Sequence, residues 1–420
     1  MKTKESKDII FVLFGATGDL ALRYIFPALE SLYTKGAFSN RSKIIALSRR
    51  DWDDQAFLEH IKSKSDFSKL ISYSRVDIEN GSGLSELSLK IKKLKSEIPE
   101  AEVFVYLSLA PKNQYGAIEA IFKNKIINKG SDRLLMEKPF GTDEVSARAL
   151  DKLLLSKLAD NQIYRIDHYL GKDTVRAVMK LHESTKNFSK MMTSENVSSI
   201  RIRAVETLGM EGRGESYDHV GAFRDFGQNH ILEMLATVVA NAGAKKWQKA
   251  RTEILEHLAP PSKTCENSRR GQYEGYKNEK GVKLNSETET AFQVVTSLSK
   301  GKLAGVPLIL ESGKKMPTQE AFIRIKFNDT EGLPKSMKFS IQPEREIVID
   351  YGGGKIDNFE IGGQNRAYEN VLSAALAGDV DEFVGSREIE LLWRYADHVV
   401  ACWNKVPLEI YSDTKPFLVE

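Results

Sequence analysis

Three polar, glycine-punctuated segments of this 420-residue chain gather side chains that can move protons. They are Glu137-Lys138-Pro139-Phe140-Gly141, Arg165-Ile-Asp167-His168-Tyr169-Leu-Gly-Lys172 and Arg224-Asp225-Phe-Gly-Gln228-Asn229-His230. The chain has only 7 histidines, and two of them fall here. Histidine titrates near neutrality, so it can take a hydroxyl proton while the carbon bearing it is oxidised. A carboxylate bonded to the other ring nitrogen fixes the tautomer and strengthens the base. Taken singly, each such His or Asp is more often a satisfied structural residue; the grouping is what points to chemistry.

An oxidation needs somewhere for the hydride to go. Gly15-Ala-Thr17-Gly18-Asp19-Leu20-Ala21 lies between an apolar run of strand length, residues 8–14, and apolar residues at helical spacing, Leu22, Phe26, Leu29 and Leu32. A glycine pattern alone also marks a turn of no consequence. Between strand and helix it lets the backbone approach a pyrophosphate, which the free N–H groups of the helix start attract. The helix should stop at Gly36 and kink or break at Pro27, which has no N–H to give. The second strand, Lys43 to Leu47, runs into Ser48-Arg49-Arg50. Two arginines there favour NADP, since a guanidinium grips a 2′-phosphate bidentately, unless they are solvated surface charge. Asp51 is close enough to leave NAD as a weaker alternative.

Strands expected at Val103 to Leu109 and Arg133 to Met136 alternate with helical stretches at Asp54–Ser63 and Leu84–Lys95, which predicts a doubly wound parallel sheet. After about residue 165 the pattern changes to alternating segments at Ser198–Val205, Phe322–Phe327, Lys338–Gln342 and Ile347–Tyr351. These predict a mainly antiparallel sheet with flanking helices. Residues 259–290, polar with two prolines, read as a long loop. The fold expected is α/β plus α+β: a Rossmann-like domain over 1–165, then a larger domain over 166–420.

Bulk properties narrow the partners. The length exceeds what one core usually serves. The formal charge of +3, from 61 basic and 58 acidic residues, gives no case for nucleic acid. No apolar run is long enough to cross a membrane, and Ile9 to Phe14 reads as a first strand, not a signal peptide. Cys265 and Cys402 form no C-x-x-C motif, so neither a metal site nor a disulfide framework is expected, and a reducing cytoplasm fits.

The four motifs, in order from the Gly15 turn through Glu-Lys-Pro-Phe-Gly and Arg-Ile-Asp-His-Tyr-Leu-Gly-Lys to Gln-Asn-His, resemble those of the glucose-6-phosphate dehydrogenase family. So do Arg270-Gly-Gln-Tyr273, Thr288-Glu-Thr290, Gly305-Val-Pro307 and Gly313-Lys314. The resemblance implies NADP-dependent oxidation of D-glucose 6-phosphate to 6-phosphoglucono-1,5-lactone, the first step of the oxidative pentose phosphate pathway. It implies His230 as general base and Asp167 as its orienting carboxylate. It assigns His168, Tyr169 and Lys172 to the 6-phosphate, Glu206 and Asp225 to sugar hydroxyls, and Lys314 and Lys138 to the substrate, Lys138 also lying near the nicotinamide. Gly15, Thr17, Gly18, Asp19 and Leu20 match the pyrophosphate turn and Arg49 the 2′-phosphate arginine. A homodimer or dimer of dimers, joined through the large sheet, is implied as well.

The chain departs from the family pattern at several positions. Tyr24 stands where a lysine facing the active site is expected, with Arg23 beside it, and Gln319 where an arginine assists the phosphate. The segment Leu298-Ser-Lys-Gly-Lys-Leu303 lacks the family's tryptophans, and the tail after Tyr411 lacks its glycine- and proline-rich motif, which argues against the extra structural NADP site of some animal members. These losses leave the reaction class intact. They keep open a dehydrogenase of another sugar phosphate, or a weakly catalytic nucleotide-binding sensor.

Overall fold

The apolar run after Asp8 is a strand because all six of its side chains have somewhere dry to go: every residue of Ile9–Phe14 is buried, with parallel neighbours on both edges. The structure is a computed structural model and describes residues 6–63, 65–109, 111–184, 186–240, 246–262, 265–362 and 366–418. It divides into two units, the first comprising residues 1–141, 145–168 and 366–386, the second 142–144, 169–365 and 387–420.

The first unit holds a parallel sheet of β1 (Ile9–Phe14), β2 (Lys43–Ser48), β3 (Ile71–Arg75), β4 (Glu102–Leu107), β5 (Arg133–Glu137) and β6 (Ile163–Ile166). Their order is β3-β2-β1-β4-β5-β6. Chain direction across the sheet reverses at β1, so the Gly15 turn opens at the switch point where doubly wound folds bind ligands. β3 and β6 escaped the sequence reading: each is short, and β6 carries an arginine in an apolar run. Arg165 is buried and pairs with Asp151 and, at 3.1 Å, with Asp160. It is a structural member of its motif. The late segment 366–386 returns a helix, Ala367–Ala377, whose Val371 and Leu372 join the core of β1 and helix Phe26–Thr34.

Pro27 sits at a break, as its chemistry requires. Residues Ala21–Ile25 form a π-helical turn in which the Phe26 N–H donates to the Ala21 carbonyl, and Pro27 then occupies the first turn of helix Phe26–Thr34. Gly36, at φ +73°, ends that helix, with the Ala37 N–H donating to the Leu32 carbonyl.

The second unit is built on nine strands: β7 (Val197–Val205), β8 (Ser268–Tyr273), β9 (Ala291–Thr296), β10 (Leu308–Gly313), β11 (Glu320–Phe327), β12 (Ser336–Gln342), β13 (Glu346–Gly352), β14 (Lys355–Glu360) and β15 (Leu408–Tyr411). The order is β14-β13-β12-β11-β7-β10-β9-β8-β15, antiparallel except at β7–β10 and β8–β15. The long loop expected over 259–290 is corrected by β8. Its polar Ser-Arg-Arg-Gly-Gln-Tyr enters the sheet because its charges find partners, Arg269 with Glu409 at 2.7 Å and Arg270 with Glu287 at 3.2 Å. Residues 263 and 264 of that stretch lie outside the described residues.

The cysteines also correct the sequence reading. Cys265 and Cys402 are joined as a disulfide with Cα atoms 5.9 Å apart, although 137 positions separate them. The fold, and no local motif, brings helix Ser386–Cys402 past the start of β8. Among the described residues, no helix is long and apolar enough to cross a membrane.

Candidate active site

In the first unit the candidate residues all stand at the carboxyl ends of parallel strands. Gly15 follows β1 at φ +77°, and a Cβ there would collide with the Ser108 carbonyl at the end of β4, so glycine is required. The Gly18 N–H donates to the Gly15 carbonyl at 3.0 Å and the Leu22 N–H to the Gly18 carbonyl at 3.1 Å, closing the turn onto the helix. Thr17 is half-buried, Gly18 and Asp19 are exposed, and Leu20 packs on the core. This is a backbone cradle at a helix start, the arrangement that receives a pyrophosphate.

Beyond β2, the Arg49 side chain is two-thirds exposed and 3.5 Å from Glu79. Arg50 lies over the Trp52 ring, 4.7 Å from its centroid. Arg75, paired in register with Ser48, brings a third guanidinium that the sequence reading missed because β3 was not foreseen. Its partner is Asp51 at 3.3 Å, so the carboxylate that left NAD open as a weaker alternative pairs with a cation on the protein surface.

Lys138 follows β5 across a cis bond to Pro139, and Gln114 donates to the Glu137 carbonyl at 2.9 Å. Glu137 is buried with its carboxylate bonded to Tyr106 and Tyr368. Burial pushes it up to about 7, and Asp167 pushes the same way against the pull of Lys138 and the two phenols. Asp167 itself is buried immediately after β6. His168 stacks on Tyr368, with ring centroids 5.7 Å apart and planes 11° from parallel, and Tyr24 meets the same tyrosine at 5.3 Å. Tyr368 had no signal in the sequence, since it reaches this sheet only through the late helix. Arg23 does not turn inward: it is exposed and pairs with Asp19 at 3.4 Å.

In the second unit His230 is buried on a second π-helical segment, Phe223–Ile231, in which the Leu232 N–H reaches the Gly227 carbonyl. Gly227 is needed there because a Cβ would press on the Phe223 ring at 2.7 Å. Asn229 stitches the widened turn, its Nδ2 donating to the Asp225 carbonyl at 3.0 Å and its Oδ1 accepting from the His230 N–H at 2.7 Å. The imidazole is stacked on Tyr169 at 4.3 Å and edged by Phe226 at 4.8 Å. Glu289 holds the start of the segment by accepting from the Phe223 N–H at 3.0 Å, and burial pushes its carboxyl up to about 7.

Lys172 closes the Asp-His-Tyr motif just before helix Asp173–Ser184, its Nζ 5.4 Å from the Tyr169 ring centroid. Burial holds its pKa below the usual lysine range; the charge of Arg345 works in the same direction, and Asp173 opposes both. The parallel pair β7–β10 ends in Glu206 and Lys314. Lys314 Nζ is 2.6 Å from Glu206 Oε2, 3.6 Å from Asp225 Oδ2 and 5.5 Å from the Tyr217 ring centroid. Two carboxylates around one buried ammonium form a set of acceptors and donors suited to sugar hydroxyls. Gln319 is exposed. The first unit thus sets Gly15 to Leu20, Arg49, Lys138, Asp167 and His168 at the carboxyl ends of its parallel strands; the second brings together Tyr169, Lys172 and His230, with Glu206, Asp225 and Lys314 forming an ion-paired cluster.

Comparison with known proteins gives the family. The family description "Glucose-6-phosphate dehydrogenase, NAD binding domain" matches residues 12–177, and "Glucose-6-phosphate dehydrogenase, C-terminal domain" matches 179–415. The chain is 31% identical to a glucose-6-phosphate 1-dehydrogenase of Helicobacter pylori, covering 96% of each chain. It is 30% identical to that of Bacillus subtilis, over 96% of this chain and 93% of the other. The solved glucose-6-phosphate 1-dehydrogenase of Mycobacterium avium superposes with a TM-score of 0.82 at 27% identity, covering 98% of this chain and 95% of that one. A 3-ketoreductase of Actinomadura kijaniata, at 13% identity and a TM-score of 0.58, shares the fold alone. With both halves matched in order along nearly its whole length, the chain belongs to the glucose-6-phosphate dehydrogenase family.

Proposed function

We propose that this oxidoreductase oxidises D-glucose 6-phosphate at C1 with NADP, giving 6-phosphoglucono-1,5-lactone and NADPH as the first step of the oxidative pentose phosphate pathway. The observation that carries the reading is His230, buried on a π-helical turn against Tyr169, in the unit that also holds Lys172 and the Glu206–Lys314–Asp225 cluster. Residues 1–165 are the nucleotide domain in this reading and 166–420 the substrate and dimerisation domain.

The Gly15 turn fits a dinucleotide, because it leads directly from the carboxyl end of β1 into a helix start whose backbone N–H groups attract a pyrophosphate. Gly15, Thr17, Gly18, Asp19 and Leu20 would hold the pyrophosphate, Arg49 the 2′-phosphate, and Lys138 would lie by the nicotinamide. When bound, the nicotinamide supplies the hydride acceptor. His230 takes the proton of the C1 hydroxyl as the C1–H bond gives up its electron pair, and the C1–O bond becomes a carbonyl. Asp167 orients the imidazole and stabilises the imidazolium. His168, Tyr169 and Lys172 bind the 6-phosphate; Glu206, Asp225, Lys314 and Lys138 orient the sugar. NADP is favoured over NAD, the weaker alternative, by the three guanidiniums after β2 and β3 and by the engagement of Asp51.

A homodimer or dimer of dimers is supported by the outer strands β13 and β14, where Tyr351, Ile356 and Phe359 are exposed. Phosphorylated sugars are intracellular metabolites, and a cytoplasmic location accompanies the reading.

The test is reduced-nicotinamide absorbance with glucose 6-phosphate and either cofactor. Wild type should turn over, and His230→Asn should lose turnover while still binding the sugar phosphate; an undiminished rate in the variant defeats its role as base. Tyr24 and Gln319 favour a second reading, a dehydrogenase of another sugar phosphate, which activity on that substrate and none on glucose 6-phosphate would establish.

A further inference from the structure

Gln319 leaves the phosphate side of the second unit one cation short of the family pattern, yet the same unit places a different guanidinium there. β12 ends on the first turn of helix Asp173–Ser184, where the Thr174 hydroxyl donates to the Ser340 carbonyl at 2.9 Å. Ser340 is in register with Glu346 of β13, so Arg345, the residue before Glu346, stands at the level of that helix start. Lys172 immediately precedes the helix and is buried. Arg345 is half-buried, its Nη1 withdrawn from solvent, and after burial itself its positive charge is the next influence holding the Lys172 pKa below the usual lysine range.

Lys172 and Arg345 are therefore near enough for their charges to act on each other beside the positive end of a three-turn helix, with the Asp173 carboxylate opposing them in part. Like charges at short range repel, and burial strengthens the repulsion. An anion shared between them reverses the sign of the interaction, and a phosphate dianion offers enough oxygens for a guanidinium and an ammonium together.

We infer that Arg345 binds the substrate's 6-phosphate together with Lys172, supplying from the β12–β13 turn the positive charge that Gln319 does not. The inference rests on the sugar-phosphate reading given above. It makes Arg345 a specificity-determining residue for the phosphorylated over the free sugar.

The experiment compares wild type, Arg345→Ala, Arg345→Lys and Arg345→Ala/Gln319→Arg on glucose 6-phosphate and on unphosphorylated glucose. Arg345→Ala should raise KM for glucose 6-phosphate about tenfold or more, the loss of one charge-assisted contact, with kcat and the KM for glucose nearly unchanged. Arg345→Lys should recover part of the affinity and the double variant more of it. An unchanged KM for glucose 6-phosphate, or an equal rise for both sugars, overturns the assignment. If wild type turns over no glucose 6-phosphate, the reaction reading fails by itself. Calorimetric binding of inorganic phosphate then decides on Arg345, with weakening in Arg345→Ala expected and equal binding overturning it.

Discussion

The Asn229 carboxamide spans Asp225 and His230, donating to the carbonyl of one at 3.0 Å and accepting from the N–H of the other at 2.7 Å. One side chain therefore ties the backbone of the proposed base to that of a proposed sugar-binding carboxylate. Replacement by alanine removes both bonds inside a buried helix, where an unmet polar group costs about 1–3 kcal/mol. A displaced imidazole would also lower turnover by up to about a hundredfold. For Asn229→Ala we expect a lower denaturation midpoint and a reduced kcat on glucose 6-phosphate, with KM for the nucleotide unchanged. Wild-type kcat in a variant shown to be less stable would confine Asn229 to a structural role.

The guanidiniums beyond β2 and β3 predict cofactor choice. Arg49 and Arg75 are both largely exposed and weakly paired, so each can turn to a 2′-phosphate at little cost in stability. Arg49→Ala should raise KM for NADP by about tenfold and leave KM for NAD near its starting value. Arg75→Ala frees Asp51, so its ratio of NAD to NADP efficiency should rise further than loss of one cation explains. Equal effects on both cofactors would show that neither residue reads the 2′-phosphate.

Motif residues were legible in the sequence because their chemistry is local. A glycine that must adopt positive φ, as Gly15 does, and an Asp-His-Tyr run declare themselves without the fold. β1, β2, β4 and β5 were legible as apolar runs, and β7 and β11 to β13 by alternation. β8 was not, since a strand of Ser-Arg-Arg-Gly-Gln-Tyr is made tolerable by Glu409 and Glu287, which are distant in sequence. Tyr368, Arg75 and Arg345 share that limit. Each reaches its place through a long-range pairing, and no spacing rule encodes a return as late as helix Ala367–Ala377.

Glu137 and Glu289 predict how stability varies with pH. Burial pushes each carboxyl from its ordinary 4.5 up to about 7. The folded state then holds the proton more tightly than the unfolded one, so this stability is complete below about pH 4.5 and lost as pH rises through about 7. Between pH 5.5 and 8 each group should contribute a loss of about 2 kcal/mol. Glu137→Gln keeps the shape and cannot ionise, so its urea midpoint should fall less over that interval than the wild type's, and adding Glu289→Gln should flatten the curve further. Parallel curves for wild type and both variants would place these carboxylates in the ionised form throughout.

Tyr24 is the departure whose consequence is most directly measured. Its ring meets Tyr368 at 5.3 Å, Tyr368 in turn stacks on His168, and the neighbouring Arg23 stays with Asp19 on the exposed side. The aromatic contact gives His168 a braced neighbour but brings no positive charge. Tyr24→Lys should lose a ring–ring contact of about 0.5–1.5 kcal/mol and gain a cation on the same helix. If that cation serves the substrate, KM for glucose 6-phosphate should fall several-fold while the melting temperature drops slightly. Paired with Tyr368→Phe, which keeps the ring and removes the hydroxyl bonded to Glu137, the variant separates stacking from hydrogen bonding. A KM that rises in Tyr24→Lys, with Tyr368→Phe neutral, would mean that the aromatic bracing of His168 matters more to phosphate binding than the missing charge.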